Sequence, residues 1–200
     1  MKRTYKMIRK SSSKFLSYFS NLIIFEYISI LFPMNKYFFT VTFTVCTYIA
    51  LAQEVNYKVH AMFMYHFTKY VEWPDAKKSG DFVIGVVGSS DINKELETIA
   101  ATKKAGAQSI VVKKISASDA ATCHMVFIPS SQSSNLDDVL QSGGGKPVLI
   151  VSEKNGLCKK GSNMNFVIVD DKLKFEINKA SIENNGLKIS GELLKLGIVL

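Results

Sequence analysis

The chain has no arginine beyond its first ten residues, and this absence bears on the partners that it can bind. Arg3 and Arg9 are the two arginines among the 200 residues. Residues 1–52 carry a net charge of +6, which leaves +2 of the formal +8 for residues 53–200. The lysines of that later part are scattered among acidic residues, whereas a nucleic-acid-binding domain needs a basic face. The charge pattern therefore predicts that nucleic acid is not a partner.

Catalytic and metal-binding motifs are also missing. Neither HExxH nor CxxC occurs, and His60 and His66 lie six residues apart on a predicted helix, so they face different ways. The run GGGK at 143–146 precedes a strand, whereas a phosphate-binding loop follows a strand and opens a helix. Cys123 and His124 are adjacent at the start of a strand, so their side chains point to opposite faces. We therefore expect no catalytic residue, no metal and no cofactor.

The first 52 residues contain a predicted export signal. Read from Met34, the sequence has a basic start at Lys36, an apolar stretch of signal-peptide length and an A-x-A cleavage pattern at 50–52. We interpret Met34 as the true start, residues 1–52 as a leader and Ala52 as the last residue removed. A membrane anchor is the alternative, but Glu26 interrupts the first apolar run and the second run is short for a bilayer span. The mature chain, residues 53–200, is long enough to form one domain with its own core.

Hydrophobic periodicity predicts a long helix near the start of the mature chain. Between residues 57 and 74, apolar side chains recur at three- and four-residue spacing, and Trp73-Pro74 ends the helix. We call this segment the docking helix and expect Phe63, Phe67 and Trp73 to be its core residues. The predicted buried face consists of Val55, Val59, Met62, Phe63, His66, Phe67, Tyr70 and Val71.

The rest of the mature chain alternates strands and helices. Strands are predicted at 82–87, 109–115, 124–128 and 147–151, with helices at 92–102 and 135–141. A hairpin follows over 164–177, and the last helices are predicted at 179–184 and 191–197. The pattern predicts a single-domain α/β sandwich with a mixed, mainly parallel sheet, an N-terminal docking helix and a C-terminal hairpin plus helices.

Serines follow three of the predicted parallel strands. The carboxyl ends of such strands meet at one edge of the sheet, where α/β folds bind ligands. Helix N-termini at that edge favour an anion or a polar small molecule, although helix capping alone also selects serine. The candidate ligand-binding residues are Ser89, Ser90, Ser130, Ser131 and Ser152.

A series of short blocks carries a family resemblance. The helix end FTKYVEWP (67–74) is followed in order by FVIGVVG (82–88), CHMVFI (123–128), PVLIVS (147–152), MNFVIVDD (164–171), KFEIN (174–178) and GLKISGELL (186–194). Any one block is a weak signal, but the ordered set is specific. From about residue 57 to residue 196, the chain resembles the YfiR-like family of periplasmic proteins.

The resemblance implies a periplasmic, non-enzymatic regulator. The best understood proteins of this kind restrain an inner-membrane diguanylate cyclase by binding its periplasmic part, which links the cell envelope to cyclic-di-GMP. The implied partner is the periplasmic part of an inner-membrane signalling protein, such as a diguanylate cyclase or a sensor kinase. The alternative is a periplasmic sensor that binds a small polar ligand at the serine-rich edge of the sheet. The sequence leaves open whether the protein forms a homodimer.

The cysteines depart from the family pattern. Members with redox-linked regulation carry two cysteine pairs. One pair links the first buried strand to the Cys-His block, but here Ile84 stands where the strand cysteine is expected. The other pair closes the loop after the PVLIVS strand, but here the residue seven positions after Cys158 is Asn165. This departure from the family pattern argues against disulfide control in this protein. From the predicted strands we also expect Cys123 and Cys158 to lie at opposite edges of the sheet, too far apart to form a bridge.

Overall fold

Residues 56–200 are the part of the chain that the computed structural model describes. The leader and Val55 lie outside it. The helices are α1 (Tyr57–Tyr70), α2 (Ile92–Ala100), α3 (Leu136–Gly143), α4 (Lys179–Asn184) and α5 (Gly191–Leu196). The strands are β1 (Val71–Glu72), β2 (Phe82–Val87), β3 (Lys104–Ala105), β4 (Gln108–Ile115), β5 (Met125–Ile128), β6 (Leu149–Ser152), β7 (Met164–Val169), β8 (Lys172–Ile177), β9 (Lys188–Ile189) and β10 (Ile198–Val199).

Eight of these strands form one sheet in the order β10-β8-β7-β6-β5-β2-β4-β3. Its central strands β4, β2, β5, β6 and β7 are parallel, while β7 with β8 and β4 with β3 are antiparallel. The predicted α/β fold with a mixed, mainly parallel sheet is therefore confirmed. The remaining strands, β1 and β9, form a separate antiparallel pair in which Val71 faces Ile189.

Helices cover the sheet on both faces. Strand β5 shows why, because its alternate side chains enter two different cores: Phe127 packs on the α1 side, and Val126 and Ile128 pack on the α3 side. The α1 side also holds Leu96 of α2 and Leu193 of α5. A strand covered on both faces is apolar throughout, which is the pattern seen in the sequence.

The antiparallel hairpin β7–β8 turns at two aspartates. Asp170 and Asp171 have φ angles of 53° and 55°. Positive φ at both central residues is the geometry of a type I′ turn, whose twist matches that of the flanking strands. Aspartate tolerates this region better than most residues do, so the Asp-Asp pair fixes the register of the hairpin.

The docking helix is rotated from the orientation that the sequence predicts. Its buried residues are His60, Ala61, Met64 and Phe67. By contrast Val59 is 40% exposed, Met62 is 46% exposed and His66 is also exposed. The prediction that these three residues lie in the buried face was therefore wrong. The buried face is rotated about the helix axis by about 100° from the predicted one, which is the angular step of one residue. The error has a physical cause, since α1 carries large apolar side chains on two adjacent faces.

Candidate functional site

The carboxyl ends of β2, β5 and β6 form one edge of the sheet, as their parallel register requires. Ser90 follows β2 and is half-buried, while Ser130 follows β5 and is exposed at the surface. Glu153 follows β6, and Tyr57 reaches the same edge from the first turn of α1. The structure thus brings two of the candidate serines together with a carboxylate and a phenol.

Glu153 is the centre of this group. Its Oε1 accepts a hydrogen bond of 2.7 Å from the backbone N–H of Ser130 and one of 3.2 Å from the hydroxyl of Tyr57. Burial is the main reason why the pKa of Tyr57 is raised, with the Glu153 charge adding to the effect. The phenol therefore stays protonated and acts as a donor. We call Tyr57, Ser90, Ser130 and Glu153 the Glu153 cluster.

The other candidate serines lie elsewhere or are already engaged. Ser152 is completely buried, and its Oγ donates to Asn165 Oδ1 at 2.7 Å and lies 2.9 Å from the Oγ of Ser162. These bonds, with one from the same Oγ to Met164 O, hold the side chain against β7 inside the protein. Ser89 is exposed and accepts a hydrogen bond from Lys114 Nζ at 2.7 Å, and Ser131 is also exposed.

Tyr57 and Glu153 are the members of the cluster that are absent from the candidate residues predicted from the sequence, and Tyr57 was the harder one to find. It stood in the sequence as the first residue of an amphipathic helix, a position with no motif of its own. The signal that could have found it is the acid that directly follows Ser152, because an acid at a strand end needs donors from a neighbouring element. Pairing that acid with a residue 96 positions earlier requires the three-dimensional fold.

A cavity of about 750 Å³ opens at the opposite edge of the sheet, near the amino ends of β2 and β4. Lys69, Lys78, Lys188, Tyr70 and Trp73 are among its lining residues. Lys78 is engaged at its rim, where its Nζ lies 2.8 Å from Asp75 and 3.5 Å from Glu72. The cavity is thus basic and aromatic, and none of the candidate serines lines it.

Cys123 and His124 lie in separate surroundings. The thiol of Cys123 is buried in the core on the α3 side, whereas the ring of His124 stacks on Phe82, 4.8 Å between centroids. Trp73 completes this aromatic group, since its Nε1 donates to the backbone oxygen of His124 at 3.1 Å. The two residues therefore do not act as a nucleophile and base.

The structure also corrects the placement of the cysteines. The residue of the first strand that faces Cys123 is Gly85 and not Ile84. A Cβ added at Gly85 would lie 2.7 Å from the sulphur of Cys123, whereas Ile84 points into the opposite core. Cys158 does not lie beyond the sheet edge as expected, since its sulphur is 4.0 Å from the oxygen of Asn163, in a loop that folds back beside β6. Both thiols are free and buried. Burial raises the pKa of Cys123, and it raises that of Cys158 to about 12, so both stay protonated.

We expect the protein to lose stability as the pH falls below about 6.5, the usual histidine pKa. His124 must be neutral, because its Nε2 donates to Lys77 O at 2.9 Å while its Nδ1 accepts from Val83 N–H at 3.1 Å. Burial lowers the pKa of His124 in the folded state, so the unfolded chain binds the proton first. This contribution to stability is complete above about pH 6.5 and is lost as the pH falls toward the folded-state pKa.

Urea denaturation at a series of pH values from about 7.5 to 5 measures this loss. His124→Gln should flatten the pH dependence, although burial also lowers the pKa of His60, which leaves a residual slope. His66→Gln is the control, because His66 is exposed. An unchanged slope in His124→Gln would show that this imidazole does not titrate as described.

Large exposed apolar side chains occur on α1, on the hairpin and on the C-terminal segment. Leu196 of α5 is 68% exposed and Ile168 of the hairpin is 58% exposed. Among residues 56–200, the large exposed apolar side chains are Val59, Met62, Ile168, Leu196, Ile198, Val199 and Leu200. We call these residues the exposed apolar set.

The elements that carry the exposed apolar set touch one another, but the set is not one patch. Ile168 pairs with Leu173 beside the hairpin turn, whereas Ile198 pairs with Glu176 near the other end of β8. Helix α1 crosses the hairpin, with Phe63 at 6.1 Å from Phe166 and 5.6 Å from Phe175 between ring centroids. Ile168 lies on the same face of β7 as Phe166, because the two are separated by one residue. Helix α5 contacts α1, and β10 pairs with β8.

Two further observations describe the part of the chain within residues 56–200. No helix there is long and apolar enough to cross a membrane. No group of three or more His, Cys, Asp or Glu side chains in this range is arranged to hold a metal ion.

Comparison with known proteins identifies the family of this chain but no similar protein of informative function. A crystal structure of the ABC domain in complex with L-Trp from Streptococcus pneumonia is 16% identical, with a TM-score of 0.46, and the match covers 70% of this chain and 60% of that one. So low a similarity says nothing about function. No curated protein matches the chain. The model of the YfiR/HmsC-like family, however, matches residues 57–198, which is nearly all of the described domain. The chain therefore belongs to the YfiR/HmsC-like family.

Proposed function

We propose that this protein is a non-enzymatic regulator, exported to the periplasm, that binds the periplasmic part of an inner-membrane signalling protein such as a diguanylate cyclase or a sensor kinase. Membership of the YfiR/HmsC-like family supports the regulatory role. The A-x-A cleavage pattern in the leader supports export. The separate surroundings of Cys123 and His124 support a role without catalysis.

Val59 and Met62 of the exposed apolar set are the observation that carries the proposal of a protein partner. Large apolar side chains that are exposed next to each other mark sites of interaction on soluble proteins. Met62 and Val59 occupy one side of α1, one helical turn from each other, so a partner can contact both at once. Exposed charges of both signs stand near these residues in the sequence, namely Lys58, Lys172 and Lys195 together with Asp170, Asp171 and Glu192. The charges therefore do not select a partner of one sign.

The test is recovery of the partner from membranes. The purified protein should retain a signalling receptor from detergent-solubilised membranes, and Met62→Glu should lower the amount retained by about tenfold or more. The reason is that burying a methionine side chain contributes about 1.5–3 kcal/mol, which an exposed carboxylate cannot replace. Thermal unfolding should be almost unchanged in Met62→Glu, because the side chain is 46% exposed in the free protein.

Thr98→Glu on α2 is the matched control, since Thr98 is exposed on a helix that carries none of the exposed apolar set. It should retain the receptor as the unmodified protein does. If the unmodified protein retains no signalling receptor, the proposed function fails. Equal retention by Met62→Glu would place the contact elsewhere on the domain.

A further inference from the structure

The Glu153 cluster lies at the point where the strand order of the sheet reverses. From β2 the chain moves outward to β4 on one side, and it then returns to place β5 on the other side of β2. In parallel α/β sheets the crevice beside such a reversal, at the carboxyl ends of the strands, is where ligands bind. Here the loops after β2 and β5 border that crevice and contribute Ser90 and Ser130 to the cluster.

One acceptor of the cluster has no donor among the described residues. Both described donors to Glu153, the Ser130 N–H and the Tyr57 hydroxyl, reach Oε1. The other oxygen, Oε2, is buried and has no hydrogen-bond partner among the described residues. Asn93 Oδ1, in the first turn of the helix that follows Ser90, is likewise buried without a partner there. Buried acceptors of this kind carry a desolvation penalty unless a donor is supplied.

Glu153 also lacks a cation among its described neighbours. The ion pairs within residues 56–200 join Lys78 to Glu72 and Asp75, and Lys179 to Glu183, and none of them involves Glu153. The adjacent Lys154 turns instead to Ser133, with 3.1 Å between its Nζ and the serine Oγ. A ligand that fits here therefore brings donors and positive charge. This reverses the anion expected from helix N-termini alone.

We propose that this crevice binds a small molecule through a primary ammonium group, which donates a hydrogen bond to Glu153 Oε2. The ammonium supplies both the missing donor and the missing charge, and a charge-assisted bond of this kind is stronger than a neutral one. A hydroxyl next to the ammonium can reach the serine side of the cluster. The site is chemically distinct from the cavity at the opposite edge, whose lining includes three lysines and Glu72.

Ethanolamine and choline form a matched pair of probes for this site. Both carry a positive charge and a hydroxyl, but choline has no N–H to donate. Ethanolamine should raise the Tm of the purified protein in proportion to the logarithm of its concentration, tested to about 100 mM so that even a millimolar site is filled. Choline should raise the Tm much less. The Ser130 amide should shift in ¹H–¹⁵N spectra only with ethanolamine.

Glu153→Gln keeps the shape and the acceptor for Ser130 while removing the charge, and it should abolish the response. Glu97→Gln, exposed on α2, should preserve it. If Glu153→Gln does not fold, Tyr57→Phe serves instead and should weaken the response. Equal responses to the two probes, an equal response in Glu153→Gln, or no shift of the Ser130 amide would overturn the proposal. These readouts need no protein partner, so they stand apart from the membrane-recovery test.

Discussion

Replacing Phe67 by alanine is expected to lower the free energy of unfolding by about 3–5 kcal/mol. The Phe67 ring is completely buried beneath α1. It stacks on Phe166 with 6.0 Å between ring centroids and meets the edge of Phe175 at 5.2 Å. Alanine would remove the contacts of Phe67 with both strands of the hairpin, where those of Phe63 would remain, and would leave a cavity in the core. The loss is a large part of the 5–15 kcal/mol that stabilises a typical domain.

Urea denaturation followed by far-UV circular dichroism measures this change, with an unchanged m-value as evidence that the unfolding remains comparable. Met62→Ala is the control on the same helix, because Met62 is 46% exposed and its truncation should cost about 0.5 kcal/mol or less. A loss below about 1 kcal/mol in Phe67→Ala would mean that α1 does not anchor the hairpin. Equal losses in the two variants would contradict the rotation of α1 described above.

The sequence was sufficient to predict the large elements but not the orientation of α1. Strands such as β2 and β5 are uniformly apolar, and this pattern is typical of a strand that is buried on both faces. Their bounds were predicted to within one or two residues. In α1 the apolar residues cover two adjacent faces, so periodicity alone could not select between Met62 and Met64. The buried face of α1 is determined by its packing against Phe166 and Phe175, which lie about a hundred residues later in the chain.

The short strands could not be predicted for a different reason. Each of β1, β3, β9 and β10 contains two residues, which is too few to show a period of two. They exist because a partner strand elsewhere in the chain pairs with them, as Ile189 does with Val71. The candidate site shows the same limit. The positions of Ser90 and Ser130 after their strands placed them at the edge where the structure has them. Ser152 also follows its strand, but its hydroxyl is hydrogen-bonded to Ser162 and Asn165 inside the protein.

The connection between β6 and β7 lacks the helix that normally joins two parallel strands, and hydrogen bonds hold it in place instead. Strands β6 and β7 are parallel neighbours, and such a pair usually needs a crossover of a dozen or more residues containing a helix. Here the connection is the loop 153–163, which holds only the 3-10 turn Cys158–Lys160. Asn163 ties this loop to β6, since its N–H donates to Ile150 O at 3.0 Å and its Oδ1 accepts from Ile150 N–H at 2.7 Å.

Asn163→Ala is expected to destabilise the protein by about 3–5 kcal/mol, although it removes no apolar contact. The amide of Asn163 also donates to Ser181 Oγ at 2.8 Å and accepts from Asn185 Nδ2 at 3.2 Å, so it joins α4 to the sheet. Alanine would leave the N–H of Ile150, a completely buried residue, without its partner, at a cost of about 1–3 kcal/mol for that group alone. Urea denaturation measures the change, with Asn184→Ala, an exposed asparagine on α4, as the matched control at about 0.5 kcal/mol or less. If Asn163→Ala is no more costly than that control, water replaces the lost bonds and the loop is held by its apolar residues instead.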